Sequence, residues 1–527
     1  MSVERAAPVS PPNALADLCY ASAWQIAAEI STGNLSAREV LQAHLDRLAA
    51  VEPQLNFLPV PMFEQACAAA LACDESQARG ELLGPLHGVP ITIKECFHIS
   101  GSPSSIGVRH LADERFSRDA PLVDALRKAG AVIVGKTNVP QLMTLYETDN
   151  PVYGRTNNPW NLERSPGGSS GGDAAAVAAG ASALGLASDL GGSVRHPAHS
   201  CGVQGFKPTA GQLSMAGSRN AFRGMEAIDI APGLLARTAT DLRLGMEVLW
   251  SAARSSGLEP CSNRAVDLRG LRVGYFETDH YFEPSPAVAR AVKEAAQMLA
   301  ARGAIVEPWH PPDVEEAVHL YWRIVSADGA ADFVRLLGRS PRDRRVNKLI
   351  QLVRLPRFAR PLLWHMLSSV GQPGLAELVR FTGAASADEY WQLTTACREY
   401  RNRFMEAMDR SGVDVLISPP HGLPAFKHGK SLYLLAAASY CYVINLLGLP
   451  AGVVAATRVR ADEETCRQPT NDKVMRTARV IELGSAGLPI GVQVSARPWD
   501  DRLVLTVMET LEESFRANSD FPARPPL

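Results

Sequence analysis

The chain is predicted to fold as an α/β protein in which one large mixed β-sheet is covered by helices on both faces. From about residue 84 onward, segments with strand and helix patterns alternate along the chain. Hydrophobic residues make up 46% of the 527 residues and charged residues 20%, which is enough apolar material for a sizeable core. An α/β unit of this length can form one body, so several domains are not required.

The first part of the chain is predicted to be a tail followed by helices. Residues 1–13 contain three prolines and no apolar run, so we expect a flexible tail there and a single domain over 14–527. Ser36 and Glu39 have the spacing of a capping box and precede apolar residues at helical intervals. A helix is therefore predicted to begin directly after Ser36.

The next elements alternate between strand and helix. The apolar run 88–93 is typical of a buried strand, 122–128 has a helical pattern, and 131–134 again favours a strand. Gly130 separates the second and third of these elements, as expected at the end of a helix. Residues 174–187 are rich in alanine and almost free of charge, which predicts a helix buried on most of its sides.

The second half of the chain continues the alternation. A helix is predicted to begin at Ser285-Pro286 and to end before Gly303. The uncharged run 431–457 is predicted to be a helix followed by a core strand, because 448–452 contains two glycines and a proline that break it. The charged stretch 458–479 is predicted to be a surface excursion. Further short core strands are predicted at 272–275, 304–306, 413–417 and 491–494.

Two serines and a lysine form the most informative chemical pattern. Ser193 follows two glycines, Ser169 lies twenty-four positions upstream in a glycine/serine-rich segment, and Lys94 lies seventy-five positions before Ser169. A serine hydroxyl is a poor nucleophile until a base removes its proton, and an acyl substrate reacts well only where donors await the oxyanion. The pattern predicts a serine hydrolase that uses lysine in place of histidine.

The oxyanion donors are predicted to come from the turn that carries the nucleophile. Glycine has no side chain, so a tight turn here can aim several backbone N–H groups at one point. The expected donors are the N–H groups of Leu190, Gly191, Gly192 and Ser193.

Lys94 ends the predicted strand 88–93 and is the candidate base. A free lysine, with a pKa of about 10.4, is neutral in only about one molecule in 2,500 at pH 7, so burial must lower its pKa. Because side chains alternate along a strand, Glu95 is expected on the opposite face, where it leaves the amine unpaired.

These residues resemble the amidase signature hydrolases, whose catalytic set is Ser-Ser-Lys. The resemblance covers the glycine/serine-rich segment 165–197 and implies the amidase signature fold. It implies that Ser193 is the acyl-forming nucleophile, that Ser169 is a bridging serine on a cis peptide, and that Lys94 is the base. Within this family, the sequence resembles the fatty acid amide hydrolase branch in particular. The segments that carry this finer resemblance are 84–90, 94–97, 138–141, 158–160, 271–279, 450–454 and 487–489.

The resemblance implies hydrolysis of carboxylic amides, most of all long-chain fatty acid amides or N-acyl ethanolamines, to an acid plus an amine or ammonia. It implies no cofactor and no metal, and it implies a homodimer, although no heptad or interface stripe is seen in the sequence. Two other functions stay open: a broad aryl or short-chain acylamidase, and a glutamine-hydrolysing subunit of a tRNA amidotransferase.

Four further residues are assigned supporting roles. Asp189 and Arg195 flank the nucleophile and are expected to form an ion pair that fixes the turn, with Gly168 as structural support beside the bridging serine. Met143 resembles a position that lines the substrate site of the family, and ordinary core packing is the alternative.

Three other motifs match functional patterns but favour simpler interpretations. Residues 130–137 match a phosphate loop, but their apolar centre favours a buried strand. Ser170 matches a nucleophile elbow, but a polar stretch precedes it where a strand is needed. His196, His199 and Cys201 have no fourth metal ligand at a suitable spacing, so a structural role is predicted.

Charge and cysteine content exclude several classes of function. The net charge of −2 argues against a nucleic-acid partner. The nine cysteines are scattered and odd in number, which favours a reducing compartment over a disulfide framework. Residues 1–12 have no secretory signal, and the interrupted run 431–457 does not favour a membrane span, so a cytoplasmic location is predicted.

Residues 342–360 combine basic and apolar side chains. This segment has seven basic residues against one acid, interleaved with leucine, isoleucine, valine and phenylalanine. Such a mixture suits helices lying in a lipid interface, and a core helix with a solvated cationic face is the alternative. The position resembles the membrane cap of the fatty acid amide hydrolases. It implies a membrane-facing helical cap over 342–383, peripheral membrane contact and a lipid amide as substrate.

Overall fold

A computed structural model describes residues 18–255 and 267–527. The tail predicted at 1–13 lies outside the described residues. The described strands are β1 Val60–Pro61, β2 Pro90–Lys94, β3 Val132–Thr137, β4 Asp149–Asn150, β5 Gly154–Arg155, β6 Leu184–Asp189, β7 Gln204–Lys207, β8 Ala231–Ala236, β9 Arg272–Tyr275, β10 Ile305–Pro308, β11 Val415–Ser418, β12 Ala451–Arg458 and β13 Pro489–Ala496.

Helices connect most of these strands, and six α-helices follow one another between β10 and β11. The helices are α1 Ala23–Ser31, α2 Ala37–Leu55, α3 Phe63–Ala78, α4 Pro121–Lys128, α5 Gly171–Ala178, α6 Arg195–Cys201, α7 Ala239–Ser255, α8 Pro286–Ala301, α9 Val314–Val325, α10 Ala331–Leu337, α11 Arg344–Val353, α12 Arg360–Ser369, α13 Pro373–Phe381, α14 Ala387–Ser411, α15 Ser439–Leu447, α16 Lys473–Glu482 and α17 Asp501–Arg516.

The strands form one eleven-stranded mixed sheet in the order β1-β3-β2-β6-β8-β7-β12-β13-β11-β9-β10, while β4 and β5 pair separately. β2 runs parallel to β3 and β6, whereas β6 and β8 are antiparallel. The predicted fold class, a large mixed sheet with covering helices, is confirmed.

The sheet brings two distant parts of the chain to one edge. Thr92 of β2 pairs with Gly185 of β6, and Ile93 pairs with Leu186. Because parallel strands end at the same edge of a sheet, Lys94 at the end of β2 lies beside the end of β6. Every residue of both strands is buried, so this edge of the sheet is shielded from water.

The helix predicted over 174–187 is wrong in its second half. The helix α5 ends at Ala178, and Gly180 follows with a φ of +75°. The chain then forms β6, whose residues pair with β2 on one side and β8 on the other. Alanine favours a helix locally, but the backbone pairing of the sheet decides the conformation here.

Most of the other predicted elements are confirmed with shifts at their ends. The Ser36 side chain accepts from the Glu39 N–H, and the Glu39 side chain completes the capping box of α2. The run 431–457 contains α15 followed by β12, as predicted. The excursion 458–479 is partly helical, since α16 begins at Lys473.

The segment 342–383 contains α11, α12 and α13, which differ in exposure. Helix α11 turns apolar residues inward, and Val346, Ile350 and Val353 are buried. Helix α12 has no buried residue. The large apolar side chains exposed on and beside it are Phe358 (87%), Leu362 (75%), Met366 (50%) and Val370 (61%). Only α12 has the character predicted for a lipid-facing helix.

Two of the seven basic residues of 342–360 do not belong to a cationic surface. The Arg345 guanidinium is buried and contacts Glu147 at 2.8 Å, Asp149 at 2.9 Å and Asp343 at 2.7 Å. Arg360 donates to backbone carbonyls of α11 and α13. These two arginines join the segment to the rest of the protein and its helices to one another.

Within residues 18–255 and 267–527, no helix combines the length and the apolar character needed to cross a membrane.

A buried histidine on α2 makes stability depend on pH. His44 is fully buried, its Nδ1–H donates to the Val40 carbonyl at 2.9 Å, and its Nε2 has no partner. Burial lowers the pKa of His44 to about 4. The unfolded chain therefore binds this proton from about pH 6.5 downward while the folded chain does not, so stability falls as the pH falls.

We expect His44 to lower the free energy of unfolding by about 2 kcal/mol when the pH falls from 7.5 to 5.0. The free energy of unfolding of His44→Gln should therefore gain about 2 kcal/mol relative to the unchanged protein over this pH range. Urea denaturation at both pH values measures the difference. Exposed His365→Gln is the control. A His44→Gln difference that stays constant with pH would contradict the prediction.

Candidate active site

Lys94 lies fully buried at the end of β2. Its Nζ is 2.8 Å from the Ser169 Oγ, 3.0 Å from the Ser188 Oγ and 3.1 Å from the Ser188 carbonyl oxygen. In the described part of the chain, no carboxylate lies within ion-pair distance of this amine. Burial lowers the pKa of Lys94. A neutral amine fits these contacts, since its two N–H bonds can donate while its lone pair accepts from a hydroxyl.

Glu95 lies on the other side of the strand, as its position next to Lys94 predicts. Its carboxylate accepts the backbone N–H groups of Ser105 and Ile106, the second at 2.8 Å. Glu95 therefore has its own partners and leaves the amine of Lys94 unpaired.

A second buried carboxyl near the amine was not predicted. Asp173 on α5 is fully buried, its Oδ1 accepts from the Thr92 hydroxyl at 3.1 Å, and its Oδ2 has no partner. Burial raises the pKa of Asp173. Burial thus disfavours the charged form of both groups.

Ser169 and Ser193 lie on either side of α5 and β6 in the sequence and meet at the same edge of the sheet. The Gly168–Ser169 peptide is cis. The Ser170 N–H donates to the Ser193 carbonyl at 3.1 Å, which joins the two serine segments through their backbones. Among the described residues, the Ser169 hydroxyl contacts Lys94 but has no hydrogen bond to the Ser193 hydroxyl.

The turn before Ser193 can be built only with glycine. Gly192 has a φ of +104°, and a Cβ there would lie 2.7 Å from the Cys441 Sγ. A Cβ on Gly191 would collide with the Tyr321 hydroxyl. The Tyr146 hydroxyl donates to the Gly191 carbonyl at 2.5 Å.

Asp189 and Arg195 form the predicted ion pair beneath this turn. Arg195 Nη2 is 2.9 Å from Asp189 Oδ1, and both side chains are fully buried. Asp189 also accepts the N–H groups of Gly192 at 2.8 Å and Val194 at 3.0 Å, and Arg195 reaches Gln493 at 2.7 Å. Burial alone would raise the pKa of Asp189, but Arg195 and these donors hold the pKa well below its usual range.

One of the four predicted oxyanion donors is already engaged. The Gly192 N–H donates to Asp189 rather than into the cavity. This geometry leaves the N–H groups of Leu190, Gly191 and Ser193 as the candidate donors.

Removing the arginine should destabilise the fold strongly. Arg195→Met leaves the Asp189 carboxylate buried without its cation, so we expect a loss of about 3–5 kcal/mol in the free energy of unfolding. Guanidinium denaturation measures it. Arg109→Met, which removes one partner of the exposed Arg109–Asp113 pair, is the control and should change little. A small loss in Arg195→Met would show that the pair does not hold the turn.

An apolar cavity opens over Ser193. Met143, in the 3₁₀ turn Gln141–Met143, lies on its wall and is half-buried. Other wall residues come from α9, α11 and α13 and include Tyr321, Trp322, Leu349, Ile350, Val353 and Leu378. The nucleophile candidate therefore faces a mostly hydrocarbon surface.

Several residues around the turn had no local sequence signal. Tyr321 and Tyr442 stack with ring centroids 4.2 Å apart, and the Tyr321 hydroxyl donates to the Leu190 carbonyl at 3.3 Å. Ser188 could have been suspected, since it ends the segment before Asp189 and is a hydroxyl residue in an apolar run.

Most residues of the alternative motifs have structural partners, although the buried Nδ1 of His196 makes no hydrogen bond with the described residues. Residues 132–137 form β3. The Ser170 hydroxyl donates to the Ser188 carbonyl at 3.4 Å. Both ring nitrogens of His199 contact backbone groups, of Leu423 and Gly491, at 3.0 Å, and the Cys201 thiol donates to the Pro166 carbonyl.

The chain is similar to known amidases over most of its length. The profile of the Amidase family matches residues 39–505. Fatty-acid amide hydrolase 1 of Sus scrofa is 34% identical over 503 residues, which cover 93% of this chain and 84% of that protein. A glutamyl-tRNA(Gln) amidotransferase protein of Carboxydothermus hydrogenoformans is 30% identical over 537 residues, which cover 97% of this chain and 100% of that protein.

The fold is also similar to that of solved structures. A fatty acid amide hydrolase superposes with a TM-score of 0.85 at 23% identity, over 96% of this chain and 87% of that one. This agreement extends the match to the eleven-stranded sheet. On the family profile and these relatives, the chain belongs to the Amidase family and is an amide hydrolase.

Proposed function

We propose that the protein hydrolyses long-chain fatty acid amides or N-acyl ethanolamines to a carboxylic acid plus an amine or ammonia. The observation that carries this proposal is the apolar cavity above Ser193, next to a buried amine that contacts the Ser169 hydroxyl at 2.8 Å. Its lining is mostly aliphatic and aromatic, which suits an apolar ligand. The relatives named fatty-acid amide hydrolases agree with it.

In the proposed mechanism, the reaction begins with a proton relay. Neutral Lys94 takes the proton of Ser169, and Ser169 takes the proton of Ser193 as the Ser193 oxygen attacks the amide carbonyl. The Ser169–Lys94 contact is formed in the structure, and the Ser193–Ser169 contact would form as substrate binds, since catalytic hydrogen bonds often tighten only in the complex.

The tetrahedral intermediate needs donors and an acid. Backbone N–H groups of Leu190, Gly191 and Ser193 would hold the oxyanion. The proton returns from Lys94 through Ser169 to the leaving nitrogen, the C–N bond breaks, and the amine departs. Water then attacks the acyl-enzyme by the same relay, which releases the acid and restores neutral Lys94.

The walls of the cavity support an acyl chain as the occupant. Leu349, Ile350 and Val353 of α11 and Leu378 of α13 supply aliphatic surface. Burial of a methylene contributes about 0.8 kcal/mol, so each added carbon within the cavity should raise kcat/KM until the cavity is filled.

A panel of acyl amides tests the proposal. Turnover of the purified chain would be measured on amides and N-acyl ethanolamines from two to eighteen carbons, and on an anilide and glutamine, with and without liposomes. We expect kcat/KM to rise with chain length. A preference for short or aryl amides would favour an acylamidase. Activity on glutamine only with partner proteins would favour a component of a tRNA amidotransferase.

We propose that α12 contacts membranes peripherally and that the protein is otherwise cytoplasmic. Phe358, Leu362, Met366 and Val370 are exposed apolar residues on or beside this helix, and Arg354 and Arg357 are exposed cations close to them in sequence. Helix α11, which precedes α12, lines the cavity, so a substrate dissolved in lipid could enter near the proposed contact.

Acidic substitutions at two exposed apolar residues, one on α12 and one in the turn before it, should weaken this contact. We expect Phe358→Glu/Leu362→Glu to weaken co-sedimentation with anionic vesicles at least about ten-fold, because two apolar side chains lose their burial. Turnover of a soluble short-chain amide should change less than about two-fold. Leu82→Glu/Leu83→Glu, also exposed, is the matched control. Unchanged vesicle binding would exclude α12 as the contact.

A further inference from the structure

A cluster of histidine and glutamate side chains joins two helices of the cavity wall. Glu315 and His319 lie one turn apart on α9, and Glu377 lies on α13. His319 Nδ1 is 4.0 Å from a Glu315 oxygen, and His319 Nε2 is 3.7 Å from Glu377 Oε2. One donor atom from each residue lies within 4.8 Å of the other two.

The histidine ring is held in place, and its Nε2 faces the Glu377 carboxylate without a hydrogen bond. The His319 side chain is 12% exposed, and its ring stacks on Phe381 with centroids 3.4 Å apart. Its Nε2 is buried and makes no hydrogen bond in the structure. The Tyr281 hydroxyl donates to Glu377 Oε2 at 2.6 Å, so the carboxylate that faces this nitrogen is also oriented by a neighbour.

The cluster is reachable from solvent through an acidic basin. The basin is lined by Asp313, Glu315, Glu316 and His319, and Arg323 is the cation on its wall. Glu315 is 72% exposed, so its side chain can turn toward the histidine nitrogen without disturbing the core. Glu316 is paired with Arg403, so the three carboxylates face two guanidinium groups and still leave the basin a net negative charge, which attracts a divalent cation.

We propose that Glu315, His319 and Glu377 bind a zinc ion. Imidazole nitrogen and carboxylate oxygen are ligands that Zn²⁺ accepts at about 2.0–2.2 Å, and three protein ligands plus water complete a tetrahedral site. Side chains that bind a metal are typically held by a hydrogen bond from a neighbouring residue, as Tyr281 holds Glu377 here. The ion would draw the three donors together by movement of the exposed Glu315 and a small closure of α13 on α9.

The site would tie the segment 342–383, through α13, to α9 of the rest of the protein. Tyr321 and Trp322 of α9 and Leu378 of α13 line the cavity, and the three ligands lie on these same two helices. Phe381 already packs on His319 across this joint. Bound zinc would therefore link α13 to α9 and reduce separation of the two helices. The binding itself does not depend on the proposed substrate.

Zinc titration of the full chain, stripped with a chelator and alkylated at its accessible thiols, tests the site. We expect calorimetry to find one ion per chain, and His319→Gln and Glu377→Gln each to weaken the Kd at least ten-fold. Glu315→Gln changes an exposed residue that the fold does not need and should weaken it similarly. His280→Gln, which alters an exposed histidine 4.0 Å from Glu283, is the matched control and should leave the Kd unchanged.

Hydrogen exchange gives a second readout that needs no activity. We expect zinc to slow amide exchange in α9 and α13 of the unchanged protein and not in Glu315→Gln. If His319 instead only pairs with the two carboxylates as a cation, no ion will bind and the proposal is overturned. Binding that survives all three substitutions, or that is lost in His280→Gln, would overturn it as well. An inactive enzyme that still binds zinc here would refute the proposed function alone.

Discussion

Ser193→Ala is expected to abolish amide hydrolysis. The hydroxyl of Ser193 is the atom that forms the acyl-enzyme in the proposed mechanism, and nothing else in the turn can replace it. Removal of a serine nucleophile elsewhere costs about 10⁶ in kcat, so we expect a loss of at least about 10⁴-fold here. The measurement is steady-state hydrolysis of a long-chain amide, together with labelling by a fluorophosphonate probe, which should disappear.

Ser170→Ala is the matched control for this result. Ser170 is the nucleophile under the elbow interpretation and lies in the same glycine/serine segment as Ser169, but its hydroxyl donates to the Ser188 carbonyl. We expect its labelling and turnover to stay within about ten-fold of the unchanged protein. Labelling that persists in Ser193→Ala and vanishes in Ser170→Ala would exchange the roles of the two serines.

The fold could be predicted where local pattern and tertiary pairing agree. The capping box at Ser36 and the strand 272–275 were predicted from adjacent residues and are confirmed. Residues 184–189 show the limit, because alanine, leucine and glycine are compatible with a helix until β2 and β8 are present to pair with them. Gly180, with its positive φ, was the local signal that the helix had ended.

The candidate site could be predicted from family resemblance for distant residues such as Lys94 and Ser169, and from local spacing where its residues share a short segment. Asp189 and Arg195 are six positions apart, and the ion pair follows from the turn between them. Arg345 could not be predicted in this way, because two of its partners lie 196 and 198 positions upstream. Cys441 likewise packs on Gly192 through the tertiary fold alone. Asp173 carried no signal, since the burial that raises its pKa arises only when α5 packs against the sheet.

Lys94→Ala is expected to lower kcat/KM for a long-chain amide by about 10²–10⁴-fold, the usual contribution of a general base. Lys94→Met, which keeps most of the side-chain volume, should lose as much, because it is the lone pair of Nζ that is needed. Lys207→Met is the matched control. Lys207 is also buried, but its amine donates to the Pro208 carbonyl, and turnover should stay within about five-fold. Near-full activity in Lys94→Met would refute the base.

The pH dependence separates a chemical role of Lys94 from a packing role. A protonated amine cannot accept the proton of Ser169, so kcat/KM of the unchanged protein should fall as the pH falls through the pKa of Lys94. Burial lowers this pKa from its ordinary value near 10.5, so the fall should be centred clearly below that value. The residual activity of Lys94→Met should not show this fall in kcat/KM at low pH. If both proteins lose activity at the same low pH, another group titrates there, and the burial of Lys94 serves only the packing between β2 and β6.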